Sequence, residues 1–385
     1  MLVRKIPSQR TSLVLLFFYG CMGLQFIRYY INSTVFYLNM PAYLSGKERL
    51  PFQERVFPIF LIYPLTHTTW ITSHLHQAGP FTADHAGTYC VSLLGFALGA
   101  IYTQKLYLLM SRTRALSFVV YPVFLFAIMW SYNIHNEANY SYPYDLPGVA
   151  FFAAGLYFIY ARRFLPLILV IFFGTLNRET TLFLIGIYVL DGASTLSETL
   201  SPGWLDLRQR FSLRAVSWGR VALLACVWLG VKMALAHYFS HNDNSENYVR
   251  IKENLGRMKP RLIPALLNMC GYLVPLVIVF YRRIRPIRYA NYLYIVPVWF
   301  AVMFYTGVLI ETRIYGELSP LVAVAAVLMM EHYASNAVLR FQERVPIVPS
   351  VSVGMAVHGQ DALARSMMEG INEEVCVKAD GAPLI

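Results

Sequence analysis

Residues 164–190 read FLPLILVIFFGTLNRETTLFLIGIYVL. The stretch is apolar except near its middle, where Asn177, Arg178, Glu179 and Thr180 stand together. An ionisable group at membrane depth costs at least ~2.5–3.5 kcal/mol on insertion scales, so it needs a partner, water or a function. Two short helices joined at the NRET tip meet that demand better than one continuous span. Each arm would be roughly 17–20 Å long at 1.5 Å per residue.

The rest of the chain supports a membrane setting. Of 385 residues, 57% are hydrophobic and only 14% charged, against a usual charged share of about 25%. Apolar runs fall near 12–31, 87–109, 115–132, 146–161, 164–176, 180–190, 216–237, 261–281, 289–310 and 318–333, with a weaker one at 56–72. Several approach the ~20 residues needed to cross a bilayer. The expected class is all-α: a polytopic transmembrane helical bundle of about 9–11 membrane helices, including short broken ones. The alternation of an outer-membrane barrel is missing. The five cysteines are scattered, without CxxC or Cys/His spacing, and read as membrane-packing residues.

The net charge of +11 has a topological reading. With a cytoplasmic N-terminus and the 164–190 hairpin, segments 1–11, 103–115, 162–163, 191–220 and 282–288 lie inside. They carry sixteen Lys/Arg and three Asp/Glu, whereas the external segments, with the NRET tip, carry nine and eleven. Basic residues collect in cytoplasmic loops, so this arrangement is favoured over one without the hairpin. It predicts a transmembrane domain over 1–335 with external loops at 32–86, 133–145, 238–260 and 311–317. A cytoplasmic, partly disordered tail is expected over 336–385. Arg4, Lys5 and Arg10 before the run at Leu13 suggest a retained signal anchor. No nucleic-acid partner is implied.

The polar residues gather on the predicted external side. PFQERVFP brings Glu54 and Arg55, YNIHNEANYSYPYDLPG brings His135, Glu137, Tyr144 and Asp145, and the hairpin tip brings Asn177, Arg178 and Glu179. The 238–260 loop brings Asp243, Arg250, Lys252, Arg257 and Lys259, and ETRIYGELSP brings Glu311, Arg313 and Glu317. Carboxylates can act as bases, arginines match phosphate oxygens, and tyrosines offer flat surface to sugars. Structural readings stand beside these. Asp145 could serve a helix N-terminus. His135 and Glu137 could be solvated, and 250–261 could bind lipid headgroups. Arg178–Glu311 and Glu179–Arg313 are the natural pairs if the charges brace helices. His67, His74, His76 and His85 follow no metal-ligand spacing.

This order of motifs resembles polytopic glycosyltransferases of the glycosyltransferase-C superfamily, particularly bacterial members, over roughly residues 10–335. The resemblance implies transfer of a sugar from a polyprenyl-phosphate carrier to a glycan or lipid acceptor, with inversion, on the external face of an inner (cytoplasmic) membrane. It also implies a carboxylate in the first external loop, commonly an aspartate, and in some members a divalent metal. Here no aspartate lies between Ile31 and Pro58, only Glu48 and Glu54. Glu54 is therefore the expected base, with Asp145 or Glu179 as alternatives. Arg178 and Arg313 are expected on the lipid phosphate, Glu311 holding an arginine, and Arg55, Asn177 and Tyr144 on the substrate. The alternatives are a lipid-linked polysaccharide polymerase or ligase, and a transporter or flippase. A flippase would show inverted repeats and midplane charges, and neither is evident.

Overall fold

The computed structural model describes residues 9–33, 35–68, 72, 83–111, 113–134, 140–194, 211–242, 245–246, 249–257 and 262–344. His74, His76, His135, Glu137, Asp243, Lys259 and residues 345–385 of the expected tail lie outside them. Residues 1–336 form one compact unit; of a second, 337–385, the end of the last helix is described.

The chain is helical. In order it forms α1 (Gln9–Asn32), α2 (Met40–Leu44), α3 (Phe57–His67), α4 (Ala83–Met110), α5 (Ser117–Tyr132), α6 (Asp145–Tyr160), α7 (Phe164–Asn177) and α8 (Leu182–Ala193). Then follow α9 (Trp218–Tyr238), α10 (Ile251–Arg257), α11 (Leu262–Leu267), α12 (Leu273–Val279), α13 (Ile287–Ala290), α14 (Ile295–Thr306) and α15 (Ser319–Arg344). Among the described residues, five helices are long and apolar enough to cross a membrane: Leu13–Asn32, Asp84–Met110, Trp218–Tyr238, Ile287–Thr306 and Thr312–Ala337. Shorter apolar helices, α3, α5, α6 and α7 among them, fill the bundle between them.

One expected run is not a continuous helix. Residues 261–281 form α11 and α12, separated by Cys270, Gly271 and Tyr272, all at positive φ. Pro264 and Pro275 flank this break. An L-residue in the left-handed region ends an α-helix, so the run splits into two short pieces.

The centre is built from α6 and α15. The Thr312–Ala337 span is 94% buried, while Trp218–Tyr238 is 17% buried and lies at the periphery. Lipid tails are as apolar as leucine, so helices in a membrane gain by close approach of small residues. On α4, Thr88, Ser92, Gly95, Gly99 and Thr103 follow one another at three- and four-residue steps, one helical face. A Cβ on Gly95 would stand 2.5 Å from Pro147 N and 2.6 Å from the Leu146 carbonyl carbon. One on Gly99 would meet Phe124 and Val149 at 3.3 and 3.4 Å. The seam lets α4 press against the start of α6.

The hairpin is evident from its rungs. A Cβ on Gly174, near the end of α7, would meet Thr181 and Phe151. At the other end Phe164 and Tyr188 rings lie 6.1 Å apart. Trp299 of α14 packs on Phe183 of α8 and Phe152 of α6, at 4.2 and 5.7 Å. At the base of the hairpin Arg288 donates to both Asp191 oxygens at 2.6 Å and lies over Tyr160. The arms run between two charged levels, NRET at one end and Asp191–Arg288 at the other.

The loops meet at the NRET end. Val35–Phe36 pairs in parallel with Tyr140–Ser141, joining the first two loops. Leu50 bridges Ser245, and Glu246 N donates to Leu50 O at 2.8 Å, joining the first and fourth.

The α4–α6 seam makes a prediction. Gly95→Val should lower the midpoint of thermal unfolding in detergent, by roughly 1–3 kcal/mol of overpacking, because the obstacle is backbone. Gly20→Ala, where a Cβ would meet nothing within 4 Å, should not lower it.

Candidate functional site

Beneath the loops lies a group of buried charges. Asp145 opens α6 and is fully buried. Its Oδ2 accepts from the Tyr30 hydroxyl at 3.0 Å, and among the described residues it accepts from no backbone N–H. Arg178 reaches Glu317 Oε1 at 3.0 Å and Asp145 Oδ1 at 3.6 Å, and Arg313 stands 4.0 Å from the same Asp145 oxygen. Gly148 makes room, because a Cβ there would stand 3.0 Å from Glu317 Oε1. Asn177 is also fully buried and donates to Tyr144 O at 2.9 Å, tying the end of α7 to the start of α6.

Arg178 itself breaks the hairpin. Its φ of −164° and ψ of 137° are extended backbone, after which Glu179–Thr181 form a single 3₁₀ turn into α8. The sequence places one arginine where the chain can leave helical geometry and turn its side chain inward to the two carboxylates.

Above this floor opens a cavity of about 980 Å³. Glu54, Arg55, Arg178, Glu179, Lys232, Glu311 and Arg313 line it, with Tyr37, Phe52, Tyr140 and Tyr142 along one side. Arg55 donates to Glu179 Oε1 at 2.9 Å. Lys232 of α9 donates to Glu54 Oε2 at 2.6 Å, and Trp228 of the same helix to Glu179 O at 3.0 Å. Arg313 donates from Nε to Glu311 Oε2 at 2.9 Å. The Arg55 and Arg313 guanidinium carbons lie 4.5 and 4.3 Å above the rings of Tyr144 and Tyr142, which stack 5.0 Å apart. Three arginines thus share one region of the wall. The Nε atoms of Arg55 and Arg178 are buried, with no hydrogen-bond partner among the described residues.

The first loop is fixed by its own polar residues. Gln53 is fully buried; it accepts from Glu48 N at 2.8 Å and donates to Tyr43 O at 3.2 Å. Tyr43 donates to Arg55 O. These bonds present Glu54 and Arg55 to the cavity.

Charge at the hairpin tip follows from this geometry. Burial alone raises the Glu179 carboxyl, but Arg55, then Lys232 and Arg178, outweigh it and hold it down to about 2. Burial works against the Arg55 cation, and Glu179 outweighs that in turn, so Arg55 stays protonated.

Several expectations differ from the structure. The ion pairs are not Arg178–Glu311 and Glu179–Arg313: Arg178 takes Glu317 and Asp145, Glu179 takes Arg55, and Glu311 and Arg313 pair with each other. The reason is depth, since the 3₁₀ helix Thr312–Leu318 carries Glu317 under the hairpin and leaves Glu311 at the rim. Asp145 is fully buried and does not line the cavity; it stands beside Arg178 and Arg313 instead. Tyr144 and Asn177 likewise lie behind the wall. The basic segment after 249 is also partly spoken for, since Arg250 pairs with Glu253 at 2.7 Å.

Sequence reading passed over Lys232, Tyr30 and the role of Glu317. Lys232 carried a signal, being the only charge between Val221 and Ala236. Among the described residues no three of His, Cys, Asp and Glu stand close enough to hold a metal ion. Glu54, Glu179 and Glu311 each already face a cation. The described residues therefore do not fit a divalent metal. Comparison with family models, with curated proteins and with solved structures found no match to the chain.

Two measurements follow from the floor and the tip. Asp145→Ala leaves buried positive charge under-compensated and should destabilise the fold by about 3–5 kcal/mol, read from unfolding in detergent. Glu179 has a folded pKa below its unfolded value of about 4.3, so its stabilisation is complete above that pH and lost as pH falls towards 2. The stability gap between wild type and Glu179→Gln should hold constant from about pH 7 to 5 and narrow below about pH 4.

Proposed function

We propose that this chain is an inverting membrane glycosyltransferase of glycosyltransferase-C type, taking its sugar from a polyprenyl-phosphate donor. On this reading the NRET end faces outside an inner membrane, which the Lys/Arg asymmetry supports. The observation that carries the proposal is the meeting of Arg55, Arg178 and Arg313 on one cavity wall. Asp145 and Glu317 compensate those charges without lining the cavity, and all three arginines remain among the residues that line it. Arginine forks suit phosphate oxygens.

The cavity edge suits the rest of such a donor. Leu182 of α8 and Val302 and Tyr305 of α14 line it while remaining exposed on the outside of the bundle. An apolar tail could leave between these helices while its phosphate stays with the arginines.

The chemistry is a single displacement. Glu54 takes the proton of an acceptor hydroxyl; its Oε2 is held by Lys232, and its other oxygen has no partner among the described residues. The acceptor oxygen bonds to the anomeric carbon as the carbon–oxygen bond to phosphate breaks. The departing lipid phosphate takes the electron pair, and Arg178, Arg313 and Arg55 stabilise the charge it gains. Glu179, held strongly ionised by Arg55, orients that arginine and is a poor base.

The test is binding of undecaprenyl phosphate to purified protein. Wild type should bind, and Arg55→Gln, Arg178→Ala and Arg313→Ala should each weaken binding by roughly tenfold or more while staying monodisperse. Equal binding by all four proteins, or none by wild type, would overturn the donor assignment.

A further inference from the structure

A second cavity, of about 470 Å³, opens beside the first. Tyr37, Asn39, Ala42, Lys47, Glu48, Arg49, Ser245 and Glu246 line it, and Tyr37 and Glu246 belong to the walls of both cavities. Between them runs a row of rings. Tyr140 and Tyr37 lie 4.7 Å apart, Tyr37 and Phe52 5.8 Å, and Phe52 stacks on Tyr142 at 5.6 Å. The row leads from the second cavity towards Arg313, which lies over Tyr142.

The polar groups at the shared wall are planar and fixed. Arg49 lies 4.2 Å over Tyr37 and donates to Glu246 Oε1 at 2.6 Å, and the Tyr37 hydroxyl donates to the same oxygen at 3.4 Å. Arg49 Nε is buried without a hydrogen-bond acceptor among the described residues, although Glu48 Oε1 is 3.4 Å away. The lining charges balance: Lys47 and Arg49 against Glu48 and Glu246. Such a cavity has no preference for an anion, and its polar wall is poor for an acyl chain. A sugar fits both features, because its C–H face covers an aromatic ring and its hydroxyl rim pairs with guanidinium and carboxylate.

We infer that the acceptor is a neutral carbohydrate chain, lying along Tyr140, Tyr37 and Phe52 and continuing past Arg49 and Glu246 into the second cavity. This rests on the transferase reading, of which it assigns the acceptor side. The hydroxyl at the Phe52 end would then approach Glu54, two residues on in the same 3₁₀ turn.

Saturation-transfer NMR tests it on the full chain in detergent. The probes are neutral glucan, galactan, mannan and N-acetylhexosamine oligosaccharides of two to four units, with undecaprenyl phosphate binding measured in parallel. At least one oligosaccharide should bind; Tyr37→Ala should weaken it about five- to tenfold while the protein stays monodisperse, and Tyr37→Phe, which keeps the ring, should bind like wild type. If no oligosaccharide binds while the lipid phosphate does, the inference falls and the donor reading stands. If oligosaccharides bind but the lipid phosphate does not, the carbohydrate site stands and the transferase reading falls. Equal oligosaccharide binding by Tyr37→Ala and wild type, or binding of short peptides in place of sugars, overturns the inference.

Discussion

Everything at the loop-bearing end of this bundle depends on the burial of Arg178 between Asp145 and Glu317. A guanidinium group cannot rest unpaired in an apolar bundle, and its partners come from the start of α6 and the approach to α15. One interaction therefore fastens the hairpin tip to the two central helices. Replacing buried ion pairs with apolar residues is often neutral or stabilising, so stability alone is a weak reason to keep such a cluster. A cavity wall that needs fixed positive charge is a stronger one. The second carboxylate, Glu317, matters because Asp145 is shared with Arg313.

The packing of the helices serves the same end. The small-residue face of α4 brings it against the first turn of α6, where Asp145 and Gly148 lie. Gly148 in turn admits Glu317 and Asn177. α9, the most peripheral span, still contributes Lys232 and Trp228 to the same cavity. Backbone close approach in the bundle and charge placement at its end are thus two consequences of one arrangement of helices.

Much of this was legible in the sequence, and the limits are physical. Apolar run length and the isolated NRET group disclosed a helical membrane bundle with a broken hairpin. Polar residues that interrupt apolar runs marked loops that meet at one end. Pairing was not legible, because it depends on how deep each side chain lies; Glu311 and Glu317 are six residues apart yet serve different arginines. The division of 261–281 was hidden because its apolar character is continuous, whereas its turn lies in the backbone angles of Cys270, Gly271 and Tyr272. Asp145 reads from sequence as a base or as a helix N-terminal group, whereas its complete burial beside Arg178 and Arg313 makes it a brace.

The central claim is that the buried arginine cluster presents a phosphate site to the cavity. The most direct measurement is a cryo-electron microscopy structure of the protein in lipid nanodiscs supplied with undecaprenyl phosphate. Phosphate density is expected in the cavity against the guanidinium groups of Arg55, Arg178 and Arg313, with the lipid tail leaving between α8 and α14. Headgroup density confined to the outer surface, with the cavity holding only water and Arg178 closed by Asp145 and Glu317, would contradict it.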